Sequence, residues 1–237
     1  MGNFLTAVRF LTVIPLTKAA QPPTDGELVG SLNYYSLVGL ILGGLLALIS
    51  LGADLLGLVL SGSVLIISVL IILTGGMHLD GLADTADGIF NCRSREEKLK
   101  IMRDSRIGAM GAIALWVVLM LKVSLLGELL LPDKLFLVWF MPAVGRGAMV
   151  WSVVKFPYAR DSGGLGSFSK GAGAAAIHLN IATLVISGVL MLWIYSLLII
   201  VGVFALAHIV SLLLSRVLGG LTGDTYGAIC EISETLT

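Results

Sequence analysis

Charge is what this chain has least of. Asp, Glu, Lys and Arg make up 13% of its 237 residues while hydrophobic residues make up 57%, against roughly a quarter and a half in a soluble globular domain. An ordinary soluble fold is excluded, and one integral membrane domain over residues 1–237 is expected. The 15 basic and 15 acidic side chains cancel, so no bulk charge draws the chain to nucleic acid. Two cysteines, Cys92 and Cys230, are too few for a disulfide framework, and neither has the neighbours of a zinc site. Histidines stand only at positions 78, 178 and 208, with no Ser-His-Asp order around them. The first apolar stretch is interrupted by Arg9 and preceded by no charge, which departs from a secretory signal.

Long apolar runs are what the chain has instead. They cover about 34–53, 55–76, 107–127, 135–154 and 174–215, and the last is long enough for two spans joined near Trp193 to Ser196. An all-α polytopic protein of about six transmembrane helices is predicted, with residues 3–16 as a short interfacial or re-entrant helix. Gly39 and Gly43 give the first run a close-packing GxxxG face. Asp54 falls in a turn between runs, and Lys122, near the end of the third, is expected to snorkel to the interface. Arg146 lies inside the fourth run, where a lone arginine costs on the order of 2.5–3.5 kcal/mol, so it should face a cavity or a partner.

The stretch GGMHLDGLADTADGIFNCRSREEKLKIMRD, Gly75 to Asp104, interrupts these runs. Asp80, Asp84 and Asp87 follow one another at i, i+4 and i+7, which puts three carboxylates within about 60° of one helix face. Like charges so spaced repel, and no cation lies among them. A hard divalent ion such as Mg²⁺ takes such oxygens together with substrate phosphates. His78 points away from this stripe and is expected as a hydrogen-bonded interface residue. Asp104 is expected to fold back towards it after a short helix capped by Ser94 and Glu97. Two further segments carry polar chemistry. The loop KFPYARDSGGLGSFSKGAG holds Arg160, Asp161, Lys170 and glycines, which let backbone N–H groups approach an anion, but it lacks P-loop spacing. The tail GGLTGDTYGAICEISE starts a helix capped by Thr222 and carries Asp224, Glu231 and Glu234; a frayed terminus and a second carboxylate contribution are both open.

Four motifs, GGMHLDGLADTADG, MRDSRIGAMGA, PYAR with GGLG, and GLTGDTYGA, together resemble the cobalamin synthases over nearly the whole chain. The resemblance implies a membrane enzyme that joins α-ribazole or its 5′-phosphate to adenosylcobinamide-GDP and releases GMP, with Mg²⁺. That family is similar in turn to CDP-alcohol phosphotransferases, whose motif opens DxxDGxxAR. Asp84, Asp87 and Gly88 match that opening, Cys92-Arg93 comes one residue late, and Asp104 has no second aspartate four residues on. The implied metal ligands are Asp80, Asp84, Asp87 and Asp104, with Asp104 or Asp80 as base. Arg93, Arg103, Arg106, Arg146, Arg160 and Asp224 are candidates for substrate contacts.

Six spans would put Arg9, Lys18, the basic hairpin 93–106, Lys155, Arg160, Lys170 and Arg216 on one side, and only Lys134, with Lys122 near the edge, on the other. Positive-inside bias then makes the site and both termini cytosolic in a bacterial inner membrane. Two rival readings are a CDP-alcohol phosphotransferase of phospholipid synthesis and a divalent-cation transporter, the second of which needs carboxylates near the bilayer midplane. Homo-oligomerisation is left open.

Overall fold

The computed structural model describes residues 2–15, 22–160, 171–192 and 194–237; Asp161, Gly163, Gly164, Gly166 and Lys170 of the glycine loop lie outside them. Among the described residues the elements are α1 (Asn3–Leu11), α2 (Asp25–Ser31), a 3-10 turn (Leu32–Tyr34), α3 (Tyr35–Leu55), α4 (Val59–Thr74), α5 (Met77–Ile89), α6 (Arg95–Ile101), α7 (Ala109–Glu128), α8 (Asp133–Lys155), α9 (Ala174–Leu192), α10 (Ile194–Leu218) and α11 (Gly223–Thr235). The protein is all-α.

Helices stand on all the predicted apolar runs, yet among the described residues fewer than six qualify as spans by length. Four do: Asp25–Leu55, Ala109–Glu128, Asp133–Lys155 and Tyr195–Leu218. Val59–Thr74 passes only together with Met77–Ile89, across a 91° bend, and Ala174–Leu190 is a shorter apolar helix. The bend has a local cause: Gly75 and Gly76 both adopt left-handed φ, at 64° and 69°, which stops α4 and restarts the chain in a new direction.

The centre of the bundle is α8, buried along most of its length. It packs on α3, α9, α10 and α11. The predicted GxxxG face makes the first of these contacts, with Gly39 against the backbone of Pro142 and Ala143, and Gly43 against that of Trp139. Asp54 lies in the last turn of α3 and not in the turn that follows it, and its carboxylate meets the buried Lys134 ammonium at 2.6 Å.

The tail settles one open point and corrects one expectation. It is not frayed: Gly219 and Gly220, at φ 71° and 144°, reverse the chain into α11, whose residues Thr225 to Cys230, with Glu231, Ser233 and Glu234, are buried. Nor do the last residues stay at the end of the bundle that carries α5. Thr235, Leu236 and Thr237 line a cavity with Glu128 and Leu129, at the opposite end of α7 from Gly108 and Gly111, which touch α5. The helix runs back through the bundle because Lys122 and Arg146 offer its two glutamates partners there. Lys122 is therefore not a snorkelling residue; it is 4% exposed, and its Nζ donates to Glu231 Oε2 at 2.6 Å and Glu234 Oε2 at 2.7 Å.

Candidate functional site

The site is built on α5, which presents one face to the bundle and one to the outside. His78, Gly81, Leu82, Thr85 and Gly88 are buried, and α5 packs on α11 and α7. Two glycines set the distance to α11. A Cβ on Gly81 would stand 2.6 Å from the Asp224 carbonyl oxygen, and one on Gly227 would stand 3.1 Å from that of His78. Without side chains at these points the two backbones close up, and Asp80 and Asp84 come to face Asp224 from across the interface.

Arg160 joins them from a third direction. The segment after α8 pairs with the segment before α11: the Ala159 N–H donates to Leu221 O at 2.7 Å, and the Leu221 N–H to Pro157 O at 2.8 Å. This short parallel pairing carries the Arg160 guanidinium to 2.9 Å from Asp224 Oδ2. The Thr222 hydroxyl donates to the same oxygen at 3.2 Å. Arg160 Nε is buried with no hydrogen-bond partner among the described residues.

One arginine does not balance the acids. Burial, and then the Asp80, Asp224 and Asp87 carboxylates, push the Asp84 carboxyl up to about 7, with Arg160 pulling the other way. Burial also raises Asp224, against Arg160 and Thr222. Carboxylates that share a site cannot all ionise unless positive charge arrives, so among the described residues this lip is short of a cation. Among the described residues, however, no three or more His, Cys, Asp or Glu side chains converge closely enough to hold a metal ion.

The other two predicted ligands are spoken for. Asp87 accepts from the Gly108 N–H at 2.7 Å and the Gly111 N–H at 2.8 Å, so it caps the start of α7, where the helix dipole favours a carboxylate. Asp104 does not reach the cluster's charges: it binds Arg106 in a fork, at 3.0 and 2.7 Å, and that guanidinium holds its carboxyl down at about 2.

The predicted arginines also separate. Arg93 is exposed beside Glu97 at 3.8 Å, and Arg106 stays with Asp104. Arg103, Lys100, Arg95 and Arg160 line a polar groove of about 450 Å³ on the α6 side of the site. Arg95 is itself committed to the carbonyls of Leu218 and Ala159, at 2.7 and 3.0 Å. Ser94 and Glu97 form the predicted capping box that starts α6.

Arg146 lies elsewhere, fully buried, with Nη1 donating to Pro142 O at 2.8 Å and Glu234 Oε1 at 2.7 Å. With Lys122, Glu231 and Glu234 it makes a closed group of two cations and two anions, so its partner is protein. Sequence reasoning missed this group, although two bases inside apolar runs and two acids three apart in the tail were a matching count. His78 packs against α11 and is 2% exposed, and its Nε2 has no hydrogen-bond partner among the described residues, where the sequence predicts a hydrogen-bonded histidine.

Comparison with known proteins fits this geometry. The family model described as cobalamin-5-phosphate synthase matches residues 3–237. A protein of Desulforamulus reducens named adenosylcobinamide-GDP ribazoletransferase is 45% identical, over 97% of this chain and 91% of its own. Proteins of the same name from Roseiflexus sp., at 42% over 97% and 85%, and Citrobacter koseri, at 36% over 98% and 96%, are also similar. No solved structure matches. From its first helix to the end of α11, the chain belongs to the cobalamin-5-phosphate synthase family.

Proposed function

We propose that this enzyme transfers the adenosylcobinamide-phosphate moiety of adenosylcobinamide-GDP to α-ribazole or α-ribazole 5′-phosphate, releasing GMP at the cytosolic membrane face. The observation that carries the reading is the gathering of Asp80, Asp84 and Asp224 beside Arg160, a lip that, among the described residues, lacks positive charge on one side and has a buried guanidinium nitrogen without a partner on the other. A diphosphate with a divalent ion supplies what each half lacks.

Mg²⁺ suits this donor set better than the four aspartates of the sequence motif. Asp84 and Asp224 would hold it, since Asp87 and Asp104 have other partners, and when bound it would neutralise charge on the diphosphate and the leaving GMP. Arg160, with Arg103 and Lys100 along the groove, binds and orients the phosphates. Asp80, exposed and on the same helix face, accepts the proton of the attacking ribazole hydroxyl. The oxygen so freed bonds to the cobinamide phosphorus, and the bond from that phosphorus to the GMP oxygen breaks, leaving GMP with the electron pair. Both substrates are held in place throughout, which lowers the entropic barrier.

The cytosolic assignment rests on charge asymmetry. The α5 end of the bundle carries Arg93, Arg95, Lys98, Lys100, Arg103, Arg106, Lys155 and Arg160, while Lys134 at the other end is neutralised by Asp54. That is the bias of a cytoplasmic face. A transporter is disfavoured because the deep carboxylates Glu231 and Glu234 are held by fixed cations.

The test supplies purified protein in nanodiscs with adenosylcobinamide-GDP and labelled α-ribazole, or with labelled CDP-diacylglycerol and an alcohol, each with Mg²⁺ or EDTA. Labelled corrinoid and stoichiometric GMP, both lost in EDTA, are expected. Labelled lipid in place of corrinoid would transfer the reading to phospholipid synthesis.

A further inference from the structure

A cavity of about 200 Å³ opens from the acidic lip into the bundle between α5, α8 and α11. Asp80, Arg160 and Asp224 stand on its wall, and its interior is formed by Phe10, Tyr35, Met149, Val153 and Tyr226, with His78. Phe10 and Tyr35 are stacked, 6.1 Å between ring centroids and 20° between planes. Pockets for drug-sized ligands measure roughly 300–1,000 Å³, so this one takes a fragment the size of a bicyclic ring and excludes a corrin macrocycle.

Such walls suit one kind of guest. Flat aromatic and thioether surfaces favour a planar aromatic group, and the absence of a charged side chain among the interior residues named above favours a neutral one. The buried His78 Nε2, with no partner among the described residues, is a polar atom waiting for one, since buried polar groups are nearly always paired. We infer that this cavity receives the benzimidazole base of the ribazole acceptor, with the His78 imidazole, beside the Tyr35 and Tyr226 hydroxyls, among the hydrogen-bonding groups of its wall. The inference rests on the transfer reading above. It seats the ribose at the acidic lip, where Asp80 can reach a hydroxyl, and it leaves the polar groove on the far side of Arg160 to the anionic guanosine end of the other substrate. The two substrates then approach from opposite sides of one arginine.

The experiment measures KM for each substrate separately, in wild type, Val153→Phe and His78→Ala, using α-ribazole and the riboside of imidazole, which lacks the fused ring. Val153→Phe fills the cavity without touching the lip. It should raise KM for α-ribazole about 10-fold or more, the scale on which a pocket resolves small changes in bulk. KM for adenosylcobinamide-GDP should stay within twofold, and the imidazole riboside should lose far less than α-ribazole. His78→Ala should raise KM for α-ribazole with little change in kcat. An effect of Val153→Phe on adenosylcobinamide-GDP alone, or equally on both ribosides, overturns the assignment. Should Val153→Phe fail to insert, wild type decides: a preference for the bicyclic over the monocyclic riboside of less than threefold also overturns it. A wild-type protein that makes no corrinoid product from either riboside strikes down the transfer reading itself, a result distinct from any change in riboside preference.

Discussion

Two clusters of charge face each other along α11, and they are opposite in kind. At one end Asp224 meets Asp80, Asp84 and a single arginine, and among the described residues the acids are in excess. Deeper in, Glu231 and Glu234 meet Lys122 and Arg146, and the count closes. The deep group balances its own charges, and it fixes where α11 lies. The lip has acids held together by packing against their own repulsion. One helix thus spends its balanced charges on position and presents its unbalanced one for chemistry.

The largest effect should come from breaking the balanced group. Glu234→Gln leaves Arg146 buried without an anion, and removal of one partner from such a pair costs about 3–5 kcal/mol. Thermal melting in detergent should fall sharply, and more than for Lys122→Met with Glu231→Leu, which removes a whole pair and leaves Arg146 with Glu234. Equal losses in the two variants would mean that the group acts as four independent contacts.

At the lip the sign reverses. Asp84→Asn relieves repulsion, so the melting temperature should hold or rise while metal-dependent transfer falls by more than the roughly 100-fold of outer-shell changes at metal sites. The pH response follows from the same carboxyl. Its pKa of about 7 in the folded protein exceeds the roughly 3.9 of an unfolded aspartate, so the folded state binds the proton more tightly. Metal-free protein should therefore gain stability as pH falls from 8 through 7 towards 5, and Asp84→Asn should flatten that slope. Wild-type stability that is level or falling over this range would show the lip to be already compensated.

The smallest effect separates the two candidate bases. Asp104→Asn removes an exposed carboxylate that touches Arg106, and turnover should stay within about twofold, in keeping with the small worth of surface ion pairs. Asp80→Asn should abolish transfer under the same assay. The reverse order would return the base to Asp104.

Much of this was legible in the sequence because the signals are local. Apolar runs place the long helices, Ser94 with Glu97 starts α6, Gly39 and Gly43 mark the α3 contact, and the i, i+4, i+7 aspartates predict the acidic face of α5. The parts that were not legible depend on contacts far along the chain. Asp87 leaves the stripe because Gly108 and Gly111, more than 20 residues on, offer it backbone donors. Lys122 turns inward because Glu231 and Glu234 come back to meet it across 109 and 112 residues. Asp224 enters the site because Gly81 and Gly227 let two helices close up, a role no single motif announces. A helical wheel ranks charges on one element; only packing decides which neighbour each one finds.

The double left-handed turn at Gly75 and Gly76 also bears on synthesis at the ribosome. It frees α5 from the direction of α4, and of the two helices the acidic helix packs on, α7 and α11, the second is translated more than 130 residues later. A nascent chain can thread its apolar segments into lipid in order and still hold an unassembled reaction centre. Competence arrives late and all at once, when α11 slides home.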